Sequence, residues 1–287
     1  MATNNTIIND LIMVKLSIEY DTGYRASAEM SRIIHEKKET EIKAMRTGVV
    51  VIPKCLTSEF TSAVSTLRKY YLNESLPWDK GNWRVVPVTA WQGFKSDLER
   101  RIRDAKDGFY QCYVKGYDGL EQHFKSQIGK LDIEFPEKQA IVDRFNIEYK
   151  VGQVASPDDI RIQGIDTVER KRISDDMKKQ YGEQVDAGLN ELAKRLTEAA
   201  EDIGARVADP DQKSKKYTRS LENLQHLADT AEKLNVTGND AIKAACKTIK
   251  EDISQWSPEA IKTTPIVRDH IASATGSVQD RLAGLKI

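Results

Sequence analysis

Residues 167–207 read TVERKRISDDMKKQYGEQVDAGLNELAKRLTEAAEDIGARV. Ile173, Met177, Tyr181, Val185, Leu189, Leu192, Leu196, Ala200, Ile203 and Val207 recur along it, nine steps over 34 residues. The mean step, about 3.8, is close to the helical period, so one apolar stripe runs down one face. This spacing predicts a single amphipathic helix that stops at Asp209-Pro210. A second stripe follows at Tyr217, Leu221, Leu224, Leu227 or Ala228, Ala231 and Leu234. The turn Thr237-Gly238-Asn239-Asp240 carries a capping residue and leads to a third stripe at Ile242, Ala245, Ile249 and Ile253. A last helix is expected over 266–285. Successive helices with short breaks favour antiparallel neighbours. Residues 165–287 are therefore expected to form a helical bundle or coiled coil.

Upstream the pattern changes. Gly152 to Gly164, with Pro157 inside it, is the candidate boundary, and residues 1–155 read as an α+β domain. In LIMVKLSIEY, residues 11–20, Val14, Leu16, Ile18 and Tyr20 alternate with Lys15, Ser17 and Glu19. That period of two predicts a half-buried strand, ended by Asp21-Thr22-Gly23. Phe145, Ile147, Tyr149 and Val151 repeat the pattern, and the two strands are candidates to pair. A helix is expected over 26–46, then an extended Val49-Val50-Val51-Ile52 stopped by Pro53. Another helix follows, with Phe60, Val64, Leu67 and Tyr71 in line and Thr57 or Ser58 as its cap. ESLPWDKGNWRVVPVTA, residues 74–90, reads as an ordered loop with a short extended piece at 84–86. From 89 to 131, Trp91, Phe94, Leu98, Ile102, Ala105, Phe109, Cys112, Gly116, Leu120, Phe124, Ile128 and Leu131 make eleven steps over 40 residues. The mean, about 3.6, predicts one long helix. The glycines at 108, 116 and 119 serve either close packing or a kink. The fold class is mainly α, with a small two- or three-stranded β element.

The chain has 287 residues, 39% apolar and 31% charged, so it is long enough to bury a core. Lys plus Arg is 44 and Asp plus Glu is 44, which leaves no global excess to attract a polyanion. The first residues lack the basic-then-apolar order of a signal peptide, and no run approaches the roughly 18 apolar residues of a membrane span. Cys55, Cys112 and Cys246 are odd in number and far apart, as in reduced proteins of the cytoplasm. A cytoplasmic location is expected. No HExxH, CxxC, GxSxG, P-loop or GxGxxG occurs. His35, His123, His226 and His270 are scattered, without metal-ligand spacing. No catalytic, cofactor-binding or metal-binding residue is assigned, and no cofactor is expected. The acids Asp158-Asp159 after Pro157 suit the start of a helix. Basic clusters at 100–106 and 170–179 are interleaved with acids, as on a solvated helix face. Lys213, Lys215, Lys216 and Arg219 have few acids near them, and Tyr217 beside them is a candidate to stack on a base. Trp78, Trp83, Trp91 and Phe94 flank the proline-bearing loop. They are a candidate partner-binding group, against the plainer reading of a loop anchored on the core.

The order of pieces over the first 165 or so residues resembles a family of uncharacterised bacteriophage and plasmid proteins. LIMVKLSIEY runs into the step Gly23-Tyr24-Arg25, with Tyr20 where a Trp or Tyr is expected. VVVIPK, the helix beginning LTSEF and the loop LPW…WRVVPV then precede the long helix. Genes of that family often lie beside MoxR-type AAA ATPases and von Willebrand factor A-like partners. The resemblance implies a phage-type accessory protein of the host cytoplasm, with an AAA ATPase as a candidate partner. It assigns no site residue and stops short of the C-terminal helices. The leading expectation is a non-enzymatic interaction or assembly protein that uses long helices to hold protein partners or a second copy of itself. The alternative is a nucleic-acid-binding accessory of phage replication or recombination, such as a single-strand binder or annealer. A homo-oligomer is expected because a helix of about 60 Å exceeds the reach of its shorter neighbours.

Overall fold

The computed structural model describes residues 8–26, 48–79, 81–129, 133–160, 164–208 and 214–285. The helix expected over 26–46 lies almost entirely outside them. The chain is mainly helical with a small β element. In order, its elements are β1 (Leu11–Glu19), β2 (Tyr24–Ala26), β3 (Gly48–Val50), α1 (Ser58–Asn73), β4 (Leu76–Pro77) and β5 (Arg84–Pro87). Then come α2 (Val88–Phe109), a π-helical turn at Tyr110–Lys115, α3 (Tyr117–Ile128), α4 (Lys138–Asp143) and β6 (Asn146–Gln153). The C-terminal part contains α5 (Thr167–Val207), α6 (Ser214–Leu234) and α7 (Asp240–Thr248). A second π turn at Ile249–Ile253, α8 (Pro258–Thr263) and α9 (Pro265–Ala283) complete it.

Contacts divide the chain into two compact units. One contains residues 1–15, 72–94 and 150–287, and the other 16–71 and 95–149. The division does not follow the expected break at 152–164. The physical reason is the sheet. Its order is β4-β5-β1-β6, and it is antiparallel. Strands far apart in sequence thus share one set of hydrogen bonds, and the helix that covers β4 is α5. The first unit therefore joins N-terminal strand segments to the C-terminal helices around one core. Ile8, Leu11, Leu76, Trp78 and Val85 lie in the same apolar cluster as Leu192, Leu224, Ile249 and Ile271. β1 and β6 are neighbours, as their shared alternation suggested. The sheet has four strands rather than two or three, because WDKGNW turns β4 back onto β5. The ribbon β2–β3 is separate, with Tyr24 opposite Val50.

α5 is a single helix of 41 residues, as its stripe predicted. The side chain of Asp166 caps it, accepting from the Glu169 N–H at 2.8 Å. Burial is confined to the half that begins at Gly188: Leu189, Leu192, Ala193, Leu196, Ala200, Ile203 and Val207. These residues meet α6 and α9, and α7 in turn packs on α6 and α9. Ile173, Met177, Tyr181 and Val185, in the first half, are only partly covered. α6 buries Tyr217, Leu221, Leu224, Ala228, Ala231 and Leu234, so Ala228 rather than Leu227 takes the inward position. α8, a six-residue helix capped by Ser257, was not foreseen; Pro258 and Pro265 fix its surroundings.

The second unit is built on Phe60 of α1. Its ring meets Tyr20, Phe109, Tyr113 and Phe145 edge-on, with centroids 5.0 to 6.0 Å apart. Phe109 and Phe145 stack at 3.6 Å. α1 buries Phe60, Val64, Leu67 and Tyr71, the four positions in line in the sequence. The uninterrupted helix expected over 89–131 is corrected to α2, a π turn and α3. Both roles weighed for the glycines occur. A Cβ on Gly108 would stand 3.1 Å from Phe60 Cα, so that residue permits the close crossing. A Cβ on Gly116 would stand 2.6 Å from the Cys112 carbonyl oxygen, a distance no other residue tolerates without backbone movement. The helix loosens into the π turn and breaks there.

Leu192 is fully buried in the centre of the α5 stripe, at 0% exposure. Leu192→Ala is expected to destabilise the chain by about 2–5 kcal/mol, from the lost transfer free energy plus the cavity left behind. Chemical denaturation followed by circular dichroism reads it, and an unchanged midpoint would contradict this packing.

Candidate partner-binding groove

The local chemistry of residues 72–87 builds one wall of a groove. Leu76 pairs with Val85 and Pro77 with Arg84. Trp78 N–H donates to the Trp83 carbonyl at 2.9 Å, closing the hairpin. Inside the turn, Asp79 Oδ1 accepts from the N–H of Gly81 at 2.8 Å and of Trp83 at 3.1 Å. Asn82 takes the left-handed conformation, with φ at 65°, which asparagine tolerates better than most residues. Pro77 sits on the edge strand, where a missing donor breaks no ladder.

Arginines tie this hairpin down. Arg84 donates to Ser75 Oγ at 2.8 Å, to the Ser75 carbonyl at 2.6 Å and to the Leu72 carbonyl at 3.0 Å. Arg195 of α5 reaches the Asn73 carbonyl at 3.2 Å while paired with Glu191. Thr230 of α6 donates to the Glu74 carboxylate at 3.1 Å. The hairpin is therefore a fixed wall.

α5 supplies the other wall. Trp78 packs on Tyr181 with ring centroids 5.4 Å apart, and burial pushes the Tyr181 hydroxyl pKa up. Pro77, Trp78 and Asp79 on one side and Gln180, Glu183, Gln184 and Ala187 on the other enclose about 630 Å³. Its surface is mostly apolar, with carboxylates and amides among the lining side chains. Toward the start of α5, Lys178 pairs with Asp158 at 2.7 Å and Arg170 donates to the Ile160 carbonyl at 3.2 Å. The second unit has a smaller cleft of about 310 Å³ between α1 and α2, lined by Glu59, Ser62, Thr66, Arg101 and Asp104. Arg101 lies over the Tyr70 ring at 4.5 Å, and its Nε is buried without a partner.

Trp78, Trp83, Trp91 and Phe94 do not form one exposed platform. Trp78 and Phe94 are buried and Trp83 packs against the core, which is the anchored-loop arrangement. Trp91 is partly exposed and stacks on Phe94 at 5.9 Å. Only Trp78 of the four borders the groove. In the basic cluster, Lys213 and the side chains of Lys215 and Lys216 lie outside the described residues, and Arg219 is exposed. Tyr217 is corrected: it is 1% exposed, and its hydroxyl donates to the Arg206 carbonyl at 2.9 Å. Its ring fills the core and is not free to stack on a base. Gln180, Glu183 and Gln184 escaped notice because polar residues on the flank of a stripe look like any solvated face. Glu183 and Gln184 lie between the stripe positions Tyr181 and Val185, and that adjacency was the available signal.

Among the described residues, no three or more His, Cys, Asp or Glu side chains gather as metal ligands would, and no helix is long and apolar enough to cross a membrane. No family model, curated protein or solved structure matches the chain.

The cysteines differ sharply in setting. Cys55 is exposed, whereas Cys112 and Cys246 are buried. Burial, with Glu232 nearby, pushes the Cys246 thiol up to about 12. The thiolate is the reactive form, so a buried thiol with a raised pKa is inert. A disulfide reagent at pH 8 is expected to modify one thiol per native chain and three after unfolding in guanidinium. Two or more modified in the native state would contradict this burial.

Proposed function

We propose that this chain is a non-enzymatic interaction or assembly protein that holds a partner protein on the first half of α5 and the groove beside it. The observation that carries this reading is the unequal burial of one helix. About 60 Å long at 1.5 Å per residue, α5 sinks its stripe into the core only from Gly188 onward. Its first half carries Ile173, Met177 and Tyr181 at helical spacing, partly exposed. An apolar stripe that continues beyond its own core is a surface suited to a second protein. Methionine on such a surface adapts to a partner's shape.

The hairpin wall supports the same reading. Rigid neighbours lower the ordering cost of binding, and Arg84, Arg195 and Thr230 hold this wall in place. The resemblance to phage and plasmid proteins makes an AAA ATPase one partner to test, and a second copy of the chain another.

Ile173→Glu combined with Met177→Glu tests the proposal. Both positions lie outside the buried core, so the unfolding free energy should change by less than about 1 kcal/mol. Wild-type tagged protein is expected to retain a partner, or to show an assembly mass above 32.4 kDa by light scattering, and the double variant to lose it. Equal recovery and equal mass for the two proteins would overturn the reading. Recovery of nucleic acid in place of protein would point to the other class.

A further inference from the structure

We propose that the groove between the β4–β5 hairpin and α5 receives a Lys or Arg side chain from a basic segment of a partner protein. This rests on reading the first half of α5 as a partner-binding face, and it specifies the chemistry of what binds.

The argument starts from the charge of the lining. The polar side chains that line it are Asp79, Gln180, Glu183 and Gln184. The two carboxylates accept hydrogen bonds and cannot donate them. Asp79 spends Oδ1 on the turn, and neither Asp79 nor Glu183 has an ion-pair partner among the described residues. No lysine, arginine or histidine is among the described lining residues. The described lining thus carries two carboxylates, Asp79 and Glu183, and no base. A phosphate or carboxylate would be repelled here, and a cation is drawn in.

A second observation asks for a donor. The Gln184 side-chain oxygen Oε1 is buried with no hydrogen-bond partner. A buried acceptor left unmade is costly, and a small turn of the amide presents it to an incoming N–H. Gln180 sits one turn earlier, on the same side of the helix.

Shape supplies the third element. Pro77, Trp78 and Ala187 are apolar, and Asp79 and Glu183 are exposed. Apolar surface with exposed carboxylates beside it matches a long side chain with an aliphatic stem and a charged head. A short acidic or hydroxyl side chain satisfies neither part. Arg fits best, because its planar head offers five N–H donors to two carboxylates and two amides.

The test uses the full-length protein and a fluorescein-labelled peptide of alternating Leu and Arg flanked by Gly and Ser, read by anisotropy. Its twins carry citrulline or Glu at the Arg positions. Citrulline keeps the shape and removes the charge. The Arg peptide is expected to bind at least about fivefold more tightly than the citrulline peptide at low ionic strength, with the difference shrinking in salt. Glu183→Lys reverses an exposed charge without touching the core and should weaken the Arg peptide at least about fivefold. Asp79→Asn keeps the oxygen that caps the turn and should also weaken it. Equal binding of the Arg and citrulline peptides, or full binding by Glu183→Lys, would overturn the proposal. If the Arg peptide fails while the Ile173/Met177 comparison still shows a partner lost, only the basic-segment proposal falls. If both fail, the partner-binding face falls with it.

Discussion

The structure of the first unit depends on the burial of the stripe from Leu189 to Val207. Eight positions of α5, from Gly188 onward, are removed from water by α6, α9 and the hairpin. At about 25 cal/mol per Å² of apolar area, burying such a stripe is a strong driving force. The pairing β4-β5-β1-β6 gains from it, because a two-residue strand such as β4 has almost no ladder of its own. With α5 against it, Leu76 becomes part of the core, and Arg195 binds the backbone just before it. The groove is a consequence of this arrangement. It lies where α5 leaves the core and still runs beside the hairpin.

Most of the helices were legible because burial on one face leaves a period in the sequence. Phe60, Val64, Leu67 and Tyr71 in α1, and Ile242, Ala245, Ile249 and Ile253 in α7 and the turn after it, are all buried as the spacing requires. Periodicity says which face is inward and says nothing of how far along the helix the cover extends. Ile173 and Leu192 belong to one stripe, yet only Leu192 is enclosed. The break at Gly116 has a similar cause. The stripe continues in phase across it, while the local backbone cannot.

Long-range pairing was the least legible part. The two units each draw on separated segments, and no composition shift marks the places where the chain passes between them. β1 and β6 were paired in the sequence by their alternation, whereas β4 at Leu76–Pro77 is too short to leave a pattern. Tyr217 shows how adjacency misleads. Beside Lys215 and Lys216 it resembles a stacking residue. It is also the first member of the series that continues through Leu221 and Leu224, and that membership decides its burial. Asp79 meets Glu183 and Gln184 only in three dimensions, so the chain order did not mark the three as one site.

Hydrogen–deuterium exchange along α5 tests the central claim most directly, because it reads how local opening varies within a single helix. Amides of residues 192–207, whose side chains are held by α6 and α9, should exchange at rates close to those of global unfolding. Amides of residues 170–185 should exchange orders of magnitude faster. Uniform protection along all 41 residues, or faster exchange in the half after Gly188, would contradict the account.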